Sequence, residues 1–426
     1  MSELFKKILI VILFLIIYRF GTYIPLPGIN TVVLEEIFKK NSGGMIAMFN
    51  MFTGGALGRM SILSLNIMPY ITASILIQLL SFSFKEIEEI RKDGIRGRRK
   101  ITQYTKYLAI ILATIQSYGF AVAAENMKLQ GTYLVDNPGF LFRFIASLSM
   151  IGGTVFVIWL TEQISAIGIG QGSSLLIFTG IVVGIPKSVA TLLDMGKNGT
   201  ISTPFIIMII IICIGMVFGI ILVERGYRKI SVMYPKRQVG RQLYASQTSF
   251  MPIKINTSGV MAPIFASSLL MFPMTIIGFN ESSPEPGSFS YNFIYYFSNG
   301  KPLYILTYIF LIFFFSFFYS SAILNPIETA ENLKKSNAIV SGQRPGERTA
   351  KYISEILNKI TTIGAIYLSF ICVLPEILVN YYSIPFYLGG TSLLIVVNVI
   401  IELFQQFQSY IMGGKYGTML QQMRKK

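Results

Sequence analysis

The sequence predicts an all-α polytopic membrane protein that crosses the bilayer about ten times. Of its 426 residues 53% are hydrophobic and only 13% charged, which is membrane composition rather than that of a soluble globular chain. The apolar residues gather in windows of roughly 18 or more, the length a helix needs to cross the hydrocarbon core. Charge then sets the orientation. About 25 of the 36 Lys and Arg fall in the two termini and in the loops after even-numbered windows, and about five in the opposite loops, so both termini are expected in the cytoplasm. The formal charge of +16 reads first as this topology signal and second as attraction of the same loops to anionic phospholipid.

The windows lie near 5–24, 55–84, 101–124, 140–161, 173–193, 203–223, 259–279, 302–323, 358–379 and 386–411. The first follows Lys6 and Lys7 as a secretory leader would, but it ends in GTYIPLPGI instead of a small-residue cleavage site, so it is read as a retained first span. The second begins badly. Thr53-Gly54-Gly55 and Gly58-Arg59 come before Asn66 and Pro69, at a depth where broken backbone is tolerated only beside protein or a water-filled cavity. A half-helix over 55–65 followed by a helix over 66–84 is therefore expected, a part suited to a pore or a transporter. Cys213 and Cys372 lie inside the sixth and ninth windows without the cationic neighbours that activate a thiol, and no disulfide between them is expected. The loops 225–258 and 324–357 are too long and too basic to be simple connections. The first carries seven Lys or Arg and no Asp or Glu, and the second presents Arg344-Pro345-Gly346 at its middle. Neither loop is long enough for a folded basic domain that binds nucleic acid in its own right.

Several chemistries are excluded by what is missing. The chain has no histidine, which removes HExxH zinc sites and every Ser-His or Cys-His nucleophile. No Gly-Lys pair precedes Ser or Thr, and GIGQG at 168–172 lacks the third glycine of a dinucleotide fingerprint. No enzyme activity, metal or cofactor is expected. Glu162, Glu224, Glu376 and Glu402 fall near window ends, and Lys106, Arg143 and Lys187 within a turn or two of an interface, where snorkelling accounts for them. An ion-coupled transporter of inverted-repeat design is the alternative reading, and the missing midplane charge counts against it.

The motifs resolve this choice. The stretch FNMFTGGALGRMSILSLNIMPYITASILIQLL at 49–80 resembles the second span of the SecY family of protein-conducting channels, a glycine-rich half-helix followed by an IMPYI-type motif, here Ile67-Met68-Pro69-Tyr70-Ile71. The likeness continues in family order through GTYIPLPGI (21–29), ITQYTKY (101–107), GIGQGSSLLIF (168–178), YPKRQVGRQLYASQ (234–247), RPGERTAKYI (344–353) and PFYLGGTSLLIVV (385–397). A glycine often stands in the family where this chain has Asn66.

The resemblance implies two pseudosymmetric halves of five helices around an hourglass pore, 1–193 and 194–426, and a passive channel that passes unfolded preproteins and releases hydrophobic segments sideways into lipid. Matched position by position, it places Ile67, Ile71, Ile177, Ile181, Val260, Ile264 and Ile395 in a ring of apolar side chains at the constriction. Such a ring admits every kind of side chain and closes to ions by dewetting. The 55–65 segment, Gly55, Ala56, Leu57, Gly58, Arg59, Met60, Ser61, Ile62, Leu63, Ser64 and Leu65, corresponds to the plug that seals the extracytoplasmic funnel. Thr72 and Gln78 on one edge, and Asn256, Ser268 and Phe272 on the other, are the implied lateral gate. Lys236, Arg237, Arg241 and Arg344 correspond to the docking surface for the motor ATPase SecA or the ribosome. SecE is implied as a clamp on the two halves, with SecG, YidC and SecD/SecF as further partners, and signal sequences as the substrate that opens the gate.

Overall fold

The computed structural model describes residues 2–40, 50, 53–129, 132–198, 202–234, 237–239, 242–244, 247–280, 296–297, 301–382 and 389–424. Each apolar window holds a helix: Ser2–Gly21, Met68–Ser83, Gly94–Asn126, Phe140–Ile167, Gly172–Lys197, Thr203–Glu224, Met261–Asn280, Pro302–Ile323, Glu347–Tyr382 and Gly390–Arg424. Among the described residues seven helices are long and apolar enough to cross a membrane, and Met68–Ser81 and Met261–Leu270 are shorter apolar stretches. Shorter polar helices, Thr31–Lys40, Lys85–Lys92 and Pro326–Lys335, lie between them.

Proline opens several helices, as at Pro69, Pro204, Pro302 and Pro326, where its missing N–H is one of the unpaired donors of a first turn. Gly168, with φ of 79°, closes the Phe140–Ile167 helix in the left-handed conformation. The Gly94–Asn126 helix buries Thr105, Ala109, Ala113, Ser117, Ala121 and Ala124 along one side. Small residues at this spacing bring helix backbones close in lipid, where packing rather than water exclusion drives association.

The main apolar core joins both halves of the chain, from Val11 and Tyr18 through Ile67, Ile177 and Ile264 to Leu394 and Val399. A second cluster of Leu26, Leu34, Met60, Leu65, Leu134 and Met150 sits where the loop after the first helix meets the start of the second span.

Short strands accompany the mainly helical fold. β1 (Lys128–Leu129) and β2 (Thr132–Tyr133) form a small antiparallel pair. β3 (Tyr227–Tyr234), β4 (Arg237–Val239), β5 (Gln242–Tyr244) and β6 (Gln247–Lys254) occupy the first basic loop, and β7 (Ile339–Val340) the second. β3 pairs antiparallel with β6 from Tyr227↔Lys254 to Tyr234↔Gln247, and its other edge takes β7 through Val232↔Val340. The two loops thus share one three-stranded sheet. Ile230, Val232, Ile253, Ala338, Val340, Leu357 and Ile360 form its own buried cluster.

Candidate functional site

The segment before the second membrane helix is folded differently from the expected half-helix. Residues 53–67 run through successive turns, and the helix begins only at Met68. The backbone explains this. Gly54, Gly55, Met60 and Asn66 all take positive φ, of 65°, 85°, 40° and 50°, and a left-handed residue cannot continue a right-handed helix. Asn66 adopts this conformation more readily than most residues, which is why it can stand where a glycine is common. Three-residue closures replace the helical ladder: Met60 N donates to Leu57 O at 2.9 Å, Ser64 N to Ser61 O at 3.0 Å and Asn66 N to Leu63 O at 3.0 Å.

This turn segment is sewn to the loop after the first helix. Leu26 N donates to Met60 O at 2.9 Å, Ile62 N donates to Ile24 O at 3.0 Å, and Pro25 bridges Ser61. Arg19 Nη1 donates to Gly54 O, and Gly58 N donates to Asn50 Oδ1 at 2.7 Å. Ala56, Leu57, Met60, Ser61, Leu63, Ser64 and Leu65 are buried; Gly55, Gly58, Arg59 and Ile62 are half-buried. Arg19 foremost, with Arg59, lowers the pKa of the Tyr23 hydroxyl from its ordinary value, because both cations favour the phenolate.

Below the turns, Ile67, Ile71, Ile177, Ile264 and Ile395 line one small cavity of about 10 Å³, together with Asn66, Met68, Ser267 and Ser268. These side chains come from four separate segments: the turn segment and Met68–Ser83 helix, Gly172–Lys197, Met261–Asn280 and Gly390–Arg424. Ile181 and Val260 belong to the same buried cluster without lining the cavity. All seven side chains proposed for the ring are at most 8% exposed, so the centre of the molecule is closed by apolar contact.

The proposed gate residues are brought together only in part. The Met261–Asn280 helix packs on both the Met68–Ser83 and Gly94–Asn126 helices, which makes a seam between it and them. Thr72 bonds back to Met68 O at 3.0 Å. Gln78 donates to Ser74 Oγ at 3.2 Å, and Tyr319 on the Pro302–Ile323 helix packs edge-on against Phe265 with ring centroids 5.4 Å apart. Ser268 lines the central cavity, and its hydroxyl has no hydrogen bond among the described residues. Asn256 turns the other way, to Glu224 and Gly259 in its own half. The side chain of Phe272 lies outside the described residues. Sequence reasoning missed Tyr319 and Ser267, and no local pattern marks either.

Of the basic loop residues, Lys236 and Arg241 lie outside the described residues, and Arg237 begins β4 with its side chain likewise outside them. Arg344 is exposed. Gly342 and Gly346, with φ of 79° and 107°, frame its turn, and Thr349 Oγ1 donates to Arg344 O at 2.8 Å, which fixes the base of the tip. Elsewhere among the described residues Lys106 forms an ion pair with Glu162 at 2.5 Å and Arg143 with Glu125 at 2.7 Å. Cys213 and Cys372 are both free.

A family model described as SecY matches residues 61–404. The protein translocase subunit SecY of Rickettsia felis (strain ATCC VR-1525 / URRWXCal2) is 45% identical over 428 residues, covering 100% of this chain and 98% of that one. The protein translocase subunit SecY of Escherichia coli (strain K12) is 46% identical over 425 residues, covering 99% and 94%. A solved structure described as a protein conducting channel aligns with a TM-score of 0.67 at 20% identity, covering 94% of this chain and 90% of that one. A second, on the plug domain of the SecY protein and the closed state of its channel, aligns with a TM-score of 0.65 at 20% identity, covering 95% and 91%. A third, Sec61 in the canine ribosome-channel complex, gives a TM-score of 0.62 at 18% identity, covering 94% and 90%. These structures share the fold, and the full-length relatives share the sequence from end to end. With the family model covering most of its length as well, the chain belongs to the SecY family.

Proposed function

We propose that this chain is the channel subunit of a protein translocase, a passive pore through which unfolded preproteins cross the bacterial cytoplasmic membrane and from which hydrophobic segments leave sideways into lipid. The observation that carries the reading is the meeting of Ile67, Ile71, Ile177, Ile264 and Ile395 around one cavity capped by the turn segment. A narrow wall of branched apolar side chains seals against ions by dewetting and gives a passing chain no charge to stick to. Ile181 and Val260 complete the ring when the helices part. The turns over 55–65 act as the plug, and their attachment to the loop after the first helix holds the closed state.

The seam between the Met68–Ser83 and Met261–Asn280 helices is the lateral gate, with Thr72, Gln78, Ser268 and Phe272 along it. Interhelical hydrogen bonds of roughly 1 kcal/mol each are weak enough for a signal sequence to part. The five-helix halves 1–193 and 194–426 move about this seam. Both termini and the basic loops face the cytoplasm, where Lys236, Arg237, Arg241 and Arg344 receive SecA or the ribosome. SecE clamps the halves, SecG, YidC and SecD/SecF are further partners, and anionic phospholipid surrounds the basic loops. The chain performs no catalysis; its driving force comes from the docked partner.

Reconstitution of the chain with SecE and SecA in proteoliposomes tests this. ATP-dependent protection of a preprotein from added protease is expected. Solute uptake independent of any preprotein would overturn the reading in favour of a transporter.

A further inference from the structure

The hairpin of β3 and β6 stands on two feet, and the structure ties them together. One foot is Glu224, the last residue of the Thr203–Glu224 helix, three residues before β3 begins at Tyr227. The other is Asn256, two residues after β6 ends at Lys254. Asn256 Nδ2 donates to Glu224 Oε1 at 2.6 Å and to Gly259 O at 3.1 Å, while Ser258 Oγ donates to Asn256 Oδ1 at 3.1 Å. Ile255 N donates to Gly226 O at 3.1 Å. Thr257 Oγ1 reaches Ser320 Oγ at 3.0 Å, and Thr361 Oγ1 reaches the same oxygen at 2.7 Å. Glu224 is 4% exposed and Asn256 2%. A carboxylate buried this deeply is costly unless it is bonded, so its place at the foot of a basic hairpin needs a reason.

The bracket reaches as far as the Gly259 carbonyl, and Met261 N donates to Ser258 O at 3.3 Å across it. Gly259 has φ of +58°, and a Cβ built there would touch nothing within 4 Å. The next residue is Val260, and Ile264 lines the central cavity one turn further on. The bracket therefore ends on Gly259, just before the helix that carries part of the constriction.

We propose that Glu224 and Asn256 are positioning residues that transmit load from the docking loops to the constriction through the Gly259 carbonyl. Held at both feet, the hairpin tilts as one body and cannot splay, so displacement at its tip is delivered through Gly259 to the helix that begins at Met261. The proposal rests on the channel reading above.

The test uses the chain reconstituted with SecE, with SecA as the docked motor, and the variants Asn256→Ala, Glu224→Ala, Glu224→Gln and Gly259→Val at matched channel content. In both alanine variants the SecA concentration giving half-maximal ATPase stays within about twofold, while preprotein translocated per ATP falls about tenfold, the scale of losing a buried hydrogen bond to a charged group. Glu224→Gln keeps an acceptor for Asn256 and stays within about twofold of the parent on the same scale. Gly259→Val strains a left-handed position without a clash; it is expected to leave docking intact and to slow translocation. Normal translocation per ATP in the alanine variants overturns the proposal, as does SecA affinity falling in parallel with translocation, which marks a merely structural role. If the alanine variants do not insert, normal translocation in Gly259→Val overturns it. Absence of preprotein protection by the parent chain would instead remove the channel reading and this role with it.

Discussion

The Arg59 guanidinium stands 4.0 Å from the centroid of the Tyr23 ring, and Arg19 stands 5.1 Å from the same ring. A cation of the turn segment and a cation of the first helix therefore share one aromatic ring. Tyr23 thus joins the turn segment to the first helix.

Replacing Tyr23 by Leu removes this joint. Tyr23 is 54% exposed, and cation–π contacts at exposed sites contribute about 0.5–1 kcal/mol. The displaced population of the turn segment should rise about two- to fivefold by that measure, read as faster labelling of a cysteine at Ser61 by a membrane-impermeant thiol reagent. Tyr23→Phe keeps the ring but loses the 3.3 Å hydrogen bond that Arg19 Nη2 donates to the hydroxyl, and should label between the parent and the Leu variant; equal labelling of the Leu variant and the parent would exclude the joint.

A second prediction concerns Gly153 on the Phe140–Ile167 helix. A Cβ there would lie 2.2 Å from the Ile62 carbonyl oxygen, which is backbone and cannot rotate away. Gly153→Val should therefore lift the turn segment and raise resting ion conductance in planar bilayers. Gly152→Val, one residue away with nothing within 4 Å, is the control and should leave conductance unchanged.

At the constriction, Ile71→Ser with Ile177→Ser should wet the central cavity, because dewetting needs a narrow apolar wall. Resting conductance should rise and defective signal sequences should be rejected less strictly. Each substitution also removes a buried side chain, at about 2–4 kcal/mol, so folded channel content must be matched before recording. An unchanged baseline would take both residues out of the seal.

Arg344→Glu reverses one charge in a loop that keeps several others, so insertion and orientation should be unaffected. If Arg344 faces SecA in a desolvated contact, losing it costs about 2–5 kcal/mol. Strong loss of SecA-driven translocation with normal membrane levels is the expected result, scored in vesicles alongside a topology reporter. Full translocation would reduce the Arg344 tip to part of the positive-inside signal.

The helices were legible because each hides its polar backbone within itself, so a long apolar window suffices to mark it. The break before Met68 was legible too, through Gly54, Gly55, Asn66 and Pro69, but its form was not. A glycine announces that a helix can be interrupted; only the φ angles at Met60 and Asn66 show that no helix forms there. The three-stranded sheet escaped notice for a different reason. Ile230 and Val232 alternate as a half-buried strand should, yet the partner of Val232 is Val340, on the far side of a membrane helix in sequence. The cavity residues show the same limit. Ile67 and Ile71 share a helical face by spacing alone, whereas their meeting with Ile264 and Ile395 is a tertiary fact that the family likeness anticipated and periodicity could not. Asn256 was placed at the seam by that likeness, and its hydrogen bonds instead run to Glu224.

The sheet also imposes an order on the making of the molecule. β3 and β6 are synthesised before the Pro302–Ile323 helix and β7 after it. Pairings so distant in sequence form late, because the intervening chain must be closed before any contact rewards it. Until β7 arrives with Leu357 and Ile360, the faces of Ile230, Val232 and Ile253 remain in water. A nascent chain stopped before β7 thus carries an unfinished sheet, and the completed sheet exists only in chains whose Pro302–Ile323 helix has already been made. Completion of most of the chain is in this way recorded in the sheet of its two basic loops.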